Sequence, residues 1–174
     1  MRAITLFALT LLLPAWATQA PKETGETVTI DGATHPEQIP QWSAWAVSFR
    51  FIATSGEAMG EEGIPTPVYR ALTKSERAVL LKHASAAIKE QRACAGRVLT
   101  LSAVNPAPAP DVLDEKVKDI QMDCRRATLK ARDQLLDKLS PNGRLALRAF
   151  VESQKKGQTM TVLKSDLARF RLPE

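Results

Sequence analysis

The chain has 174 residues, of which 24 are Lys or Arg and 19 are Asp or Glu, giving a formal net charge of +5. This length accommodates one domain with a real core but hardly two. After the first apolar run no segment is apolar enough to cross a bilayer, which excludes a membrane span in the rest of the chain.

The chain begins with the pattern of a secretory signal peptide. Arg2 precedes an apolar run, and Pro14 and small residues follow it, as in signal peptidase substrates. Because the Ala-Trp-Ala segment at 15–17 fits the cleavage rule, we expect residues 1–17 to be removed and the protein to be exported to the periplasm or beyond the cell. An uncleaved membrane anchor is the alternative, but the run is shorter than the roughly 20 residues that span a bilayer.

Charge is distributed unevenly along the predicted mature chain. Without Arg2 the chain has 23 basic and 19 acidic residues, and residues 18–124 carry −3 whereas residues 125–174 carry +7. Such an asymmetry can attract lipid headgroups or an acidic protein surface, although charge runs also simply solvate helix faces. The basic residues predicted to contact a partner are Arg125, Arg126, Lys130 and Arg132.

The two ends of the mature chain are predicted to pair. Residues 18–26 have no apolar periodicity and are predicted to be a disordered leader. Residues 27–174 are predicted to form a single domain of the all-α class. Polar and apolar residues alternate in 27–30 and again in 159–163, which favours strands. We expect these segments to form a small two-stranded ribbon.

Residues 41–53 are predicted to form an aromatic helix. Its strongest apolar residues at helical spacing are Trp42, Trp45 and Phe49. Because Val47 and Phe51 fall on the opposite side, we expect the helix to be buried on two sides. Core packing is one interpretation of the aromatic face, and a docking surface for a partner is the other.

The segment 55–71 is predicted to be a long loop, because three glycines and two prolines interrupt it. Long loops without regular structure are uncommon inside compact domains and are often functional. We therefore expect a binding edge between Glu57 and Tyr69.

Two long helices, 73–104 and 111–139, are predicted to form an antiparallel hairpin. The first begins with a capping box, in which Thr73 accepts from the amide of Glu76 while the Glu76 carboxylate reaches back. A proline-rich stretch ends this helix, and Asp111 is predicted to cap the second. The apolar seam of the first helix runs through Leu80, Ala84, Ala87, Gln91, Cys94, Val98 and Leu101, and that of the second through Leu113, Val117, Ile120, Cys124, Ala127, Ala131 and Leu135.

A shorter helix, 141–156, is predicted from its start and stop signals. It and the helix 41–53 are predicted to pack against the hairpin. Ser140 can cap it, and Pro141 suits the first helical position because its missing N–H costs nothing there. Gly157 is a favourable C-terminal stop. Residues 166–170 are predicted to form a last turn.

The two cysteines are predicted to form a disulfide. Cys94 and Cys124 are equally distant from residue 109, within the proline-rich turn, and an antiparallel hairpin brings such positions level. Both lie on inward seams, as bridging requires, and export places them in an oxidising compartment. A redox-active pair is the alternative, but the sequence offers neither a C-x-x-C spacing nor an evident activating group.

Other candidates for reactive chemistry are few. The two histidines, His35 and His83, belong to no H-x-x-x-H or H-E-x-x-H arrangement, so no metal site is predicted. No G-x-S-x-G occurs, and we predict neither a catalytic residue nor a cofactor. The basic C-terminal part lacks the interleaved aromatic residues of a nucleic-acid platform, so nucleic acid is not a predicted partner.

Two short motifs resemble known families. Residues 30–40, Ile-Asp-Gly-Ala-Thr-His-Pro-Glu-Gln-Ile-Pro, look like the opening of uncharacterised exported bacterial helical proteins with a D-G-x-x-x-P-x-x-I-P signature. Residues 72–77, Leu-Thr-Lys-Ser-Glu-Arg, are echoed by residues 139–144, Leu-Ser-Pro-Asn-Gly-Arg. The pair is similar to the twin L-T-x-x-Q motifs of Spy/CpxP-like periplasmic helical chaperones, with Glu76 and Gly143 where that family has glutamine.

Together these patterns predict an exported cell-envelope protein that binds or supports a partner by contact rather than catalysis. The predicted partner is an anionic envelope surface or another envelope protein. A Spy-like periplasmic chaperone, implied by the resemblance, is the second hypothesis, and an envelope hydrolase with an unrecognised site is the third. The residues predicted to contact the partner are Trp42, Trp45, Phe49, Arg125, Arg126, Lys130 and Arg132.

Overall fold

The computed structural model describes residues 26–103 and 109–167 of the chain. The predicted signal peptide, 1–17, and nearly all of the predicted leader lie outside these residues. So do most of the linker between the long helices, at 104–108, and the end of the predicted last turn, from 168 onward.

The described residues are predominantly helical, which confirms the all-α prediction. In chain order the elements are β1 (Thr27–Asp31), α1 (Gln41–Met59), α2 (Thr66–Ala71), α3 (Lys74–Ser102), α4 (Pro110–Leu136), α5 (Pro141–Lys155) and β2 (Thr159–Leu163). Helices α3 and α4 form the predicted hairpin, and α1 packs against both of them. Helix α5 packs mainly against α1 and α2 rather than against the hairpin.

The first helix is longer than predicted, and the prediction of a loop at 55–71 is wrong. Helix α1 continues through Gly56, and a 3₁₀ turn and α2 occupy most of the remainder. Glycine suits that helical position because Leu81 of α3 packs where a Cβ would lie. The two prolines begin a helix instead of preventing one, since Pro65 is the N-cap of α2 and Pro67 lies in its first turn. The binding edge between Glu57 and Tyr69 was predicted from a long loop, and the segment is not such a loop.

Helix α4 also differs from the prediction at both ends. It begins at Pro110, with no side-chain hydrogen bond at its cap, so the predicted capping by Asp111 is wrong. A turn formed by 137–139 follows its last residue. The next helix starts as predicted, because the Ser140 hydroxyl accepts from the Gly143 amide at 3.2 Å.

The main core lies where α1 crosses the hairpin and α5 covers α1. Its fully buried side chains include Phe49, Ile52, Leu80, Leu135, Leu147 and Val151. The opposite side of α1 is open, since Phe51 is 46% exposed and Val47 is 39% exposed. The prediction that α1 is buried on two sides is therefore wrong.

The two short strands pair as predicted. β1 and β2 are antiparallel, with Thr27 opposite Leu163 and Asp31 opposite Thr159. The ribbon has a small apolar core of its own, formed by Ile30, Ile39 and Val162. It joins the two ends of the described chain.

The D-G-x-x-x-P-x-x-I-P segment holds this ribbon on the end of α5. Asp31 Oδ1 accepts from the Ala33 amide at 2.9 Å and so shapes the turn. Gly32 lies directly against α5, where a Cβ would overlap the carbonyl oxygen of Lys155. Ile39 is buried in the small core. The motif therefore has a structural explanation at several of its positions.

The two echoed motifs meet in space and share one carboxylate. Glu76 Oε2 accepts from the Thr73 amide at 2.8 Å, and its Oε1 accepts from the Ser140 amide at 2.6 Å, so the predicted capping box of α3 also caps the entry to α5. Arg77 and Arg144 occupy equivalent places, each donating to the carbonyl oxygen of the residue five before it at 2.8 Å. The amides of Ser140 and Thr73 lower the pKa of Glu76 from 4.5 to about 2.

Replacing Glu76 by glutamine is expected to lower the free energy of unfolding by about 2 kcal/mol at neutral pH, because a neutral amide offers one acceptor oxygen to two donors. Since the folded-state pKa of Glu76 is depressed, its contribution is complete above the unfolded value of 4.5 and is lost as pH falls towards about 2. Urea unfolding at several acidic pH values measures both effects. Glu90→Gln, at an exposed position of α3, is the control, and an unchanged acid dependence in the Glu76 variant would contradict this account.

Candidate binding groove

An open groove of about 580 Å³ lies between α1, the hairpin and β2. Its volume falls within the range of roughly 300–1,000 Å³ that is usual for ligand sites. Trp42 and Arg50 form the α1 side, Val98 and Arg125 belong to the hairpin side, and Leu163 belongs to the β2 side. The groove thus combines elements from the beginning, middle and end of the domain.

The charge of the groove is positive. Its described lining contains two guanidinium groups, those of Arg50 and Arg125, and no carboxylate. The guanidinium carbon of Arg125 lies 4.8 Å from the centre of the Trp42 ring, a cation–π distance. This contact holds the Arg125 head group at the groove and joins two of the residues predicted to bind a partner.

The disulfide lies in the wall of the groove and confirms the predicted pairing. Cys94 and Cys124 are bonded, with their Cα atoms 6.0 Å apart, and both line the groove. Arg97 Nη2 lies 3.1 Å from the Cys94 sulfur and 3.7 Å from the Cys124 sulfur. This cationic group beside the cysteines was not predicted, although the spacing of three residues between Cys94 and Arg97 signals neighbours on one helix face.

Trp45 and Phe49 are buried in the core. Trp45 is 2% exposed and Phe49 is fully buried, and their ring centres are 5.5 Å apart. Of the two interpretations of the aromatic helix, this burial favours core packing for both residues over the predicted docking role, although Trp45 also borders a cavity that Arg132 lines. Trp42 is half-buried and is the member of the set that reaches the groove.

The predicted basic residues do not form one patch. Arg126 is exposed and lies 3.5 Å from Asp123, outside the groove lining. Lys130 borders a smaller cavity of about 190 Å³ on the hairpin. Arg132 donates to Asp133 at 2.8 Å and lines a cavity of about 410 Å³ with both acidic and basic walls. Only Arg125 of this set contributes to the groove.

The two histidines lie apart from the groove. His35 Nδ1 is 3.2 Å from Glu37 Oε1 at the surface, and His83 Nε2 is 3.1 Å from Lys138 Nζ. Burial, and then the charges of Lys138 and Lys82, lower the pKa of His83. Within 26–103 and 109–167, no cluster of three or more His, Cys, Asp or Glu side chains has the arrangement of a metal site.

No helix in the described part of the chain combines the length and apolar character needed to cross a membrane. Comparisons with protein-family models, with curated proteins and with solved structures gave no match.

Proposed function

We propose that this protein is an exported, non-catalytic binding protein of the cell envelope, and that the groove is where it contacts its partner. The observation that carries the proposal is the positive lining around Arg50, Arg125 and Trp42, to which the described residues contribute no carboxylate. A groove with this charge attracts an anionic partner. The disulfide supports export, because such bonds persist in oxidising compartments.

The side chains around the groove favour contact over catalysis. Its polar groups are guanidinium, amide and hydroxyl groups, including Gln91, Gln121 and Thr128. The Thr128 hydroxyl already donates to the carbonyl oxygen of Cys124 at 3.0 Å. Amides and guanidinium groups orient a ligand by hydrogen bonding, whereas hydrolysis requires an activated nucleophile or a general base. The envelope-hydrolase hypothesis consequently has less support than the binding hypothesis.

Charge reversal at the groove is expected to weaken binding of an anionic partner. Arg125→Glu should reduce affinity for a fluorescent acidic peptide, or for vesicles containing anionic lipid, by about tenfold, because it replaces an attraction by a repulsion. Binding by the wild type should weaken as added salt shortens the Debye length below about 10 Å. Fluorescence anisotropy and vesicle co-sedimentation measure these effects.

Arg126→Glu is the matched control for this experiment. It makes the same charge change at the next residue of α4, outside the groove lining, and should change affinity much less than Arg125→Glu. Equal losses in the two variants would show that net charge rather than the groove determines binding. If the wild type binds neither the acidic peptide nor the anionic vesicles, the proposed function is wrong.

A chaperone activity is the second candidate, and exposed apolar side chains on α1 favour it. Phe51 is 46% exposed, and its ring centre lies 5.8 Å from that of Phe150 on α5. Val47, one helical turn before Phe51, is also exposed. An open aromatic and aliphatic surface of this kind can hold an unfolded client. The test is whether the protein suppresses aggregation of an unfolded client. Suppression that is insensitive to salt and is lost in Phe51→Ser would favour chaperone activity over binding of an anionic partner in the groove.

A further inference from the structure

We infer that the groove holds an extended, acidic segment of another envelope protein, which adds as a third strand to the outer edge of β2; this inference rests on the proposed function. The Lys164 amide donates to the Glu26 carbonyl oxygen and the Gly32 amide to that of Gln158, both at 2.8 Å. In an antiparallel pair, bonded and non-bonded positions alternate.

This alternation determines which backbone groups of β2 point away from β1. Lys164 and Gln158, directly beyond the two ends of β2, are bonded positions. Because the register between them is regular, with Val28 opposite Val162, the even-numbered residues of β2 are bonded to β1. The N–H and C=O groups of Thr159, Thr161 and Leu163 therefore point to the outer edge of β2. Among the described residues, no hydrogen bond from outside the ribbon reaches the backbone of Thr161 or Leu163.

The outer edge of β2 borders the groove. Thr161, Val162 and Leu163 line it, whereas no residue of β1 does. An exposed strand edge is a template for an added strand, whose main-chain hydrogen bonds supply affinity while its alternate side chains supply specificity. The groove thus offers backbone donors and acceptors on one side and side-chain contacts on the other.

The side-chain contacts select the chemistry of the added segment. Arg50 and Arg125 favour carboxylates on its groove-facing side. Val98 and the disulfide wall favour aliphatic side chains between them. A lipid headgroup would satisfy the charges but has no peptide groups to pair with the β2 edge. The arrangement accordingly favours an acidic peptide strand over a membrane surface.

Leu163→Pro tests strand addition directly. The φ of −67° and ψ of 138° at Leu163 suit proline, and the N–H that proline removes points outward, so pairing with β1 is retained. Leu163→Ala is the matched control, because it shortens the same side chain and keeps the N–H. The probe is a fluorescent eight-residue peptide of alternating valine and glutamate, blocked at both ends.

Because Leu163 lines the groove, Leu163→Ala is expected to bind this peptide about threefold more weakly than the wild type, through loss of a side-chain contact. Leu163→Pro is expected to bind at least about tenfold more weakly than Leu163→Ala, through loss of the N–H. Two further versions of the peptide are N-methylated at alternate amides, one at the odd-numbered and the other at the even-numbered residues. Because a strand presents successive N–H groups to opposite sides, one of the two versions should lose binding to the wild type. This second measurement needs no variant, so it decides the question even if Leu163→Pro folds poorly.

The outcomes separate this inference from the proposed function. If Leu163→Pro binds like Leu163→Ala and both N-methylated peptides bind normally, strand addition is wrong, while a loss in Arg125→Glu would still support the groove. If only anionic vesicles bind, and do so in an Arg125-dependent way, the partner is a membrane surface and this inference is overturned. If neither probe binds, both proposals are wrong.

Discussion

Trp45→Ala is expected to lower the free energy of unfolding by about 3–5 kcal/mol, as truncation of a buried aromatic side chain usually does. Trp45 is 2% exposed and packs against Phe49. Its truncation leaves a cavity in the core, into which the surrounding side chains relax only partly. Because domains are stable by only about 5–15 kcal/mol, the variant should unfold at much lower urea concentration. Chemical denaturation followed by circular dichroism measures the loss.

Trp42→Ala is the matched comparison on the same helix. Trp42 is half-buried and contacts Arg125, so the loss of stability should be about 1 kcal/mol, whereas binding of an anionic peptide should fall. Comparison of the two variants therefore distinguishes a loss of stability from a loss of binding. A stable Trp45→Ala variant that had lost binding would support the docking role that the sequence predicts for Trp45.

Replacing Cys94 and Cys124 together by alanine is expected to lower the free energy of unfolding by about 3–4 kcal/mol, because the disulfide closes a loop with a sequence separation of 30. The melting temperature should fall by roughly 10 °C. The effect should be concentrated beyond the bridge, where Leu99 is 71% exposed and Val112 is 41% exposed. The ends of α3 and α4 have little buried apolar surface there to hold them together.

Hydrogen exchange checks where this stability is lost. Amides in 98–103 and 111–117 should exchange faster in the alanine variant, with a smaller change where α1 covers the hairpin. Reducing agent should reproduce the loss in the wild type and leave the variant unchanged. Labelling of two thiols in oxidised, exported wild-type protein would contradict the bond itself.

Local signals in the sequence predicted much of the helical framework. The capping box at Thr73 and the serine cap at Ser140 are confirmed, because each involves groups within three residues of one another. The disulfide was also predictable, since equal spacing about a turn brings Cys94 and Cys124 level. Glycine and proline were misleading at 55–71, where Leu81 from α3 makes Gly56 favourable inside a helix.

Features with local causes follow from the amino-acid sequence alone: the caps at Thr73 and Ser140, the apolar seams and the alternation in the ribbon. The groups that these elements bring together depend on the packing of the whole chain. Glu76 reaches Ser140, 64 residues away, and the groove assembles Trp42, Arg125 and Leu163 from α1, α4 and β2. Periodicity identifies the inward face of an element, but the neighbour that meets each face depends on how the whole chain buries its apolar surface.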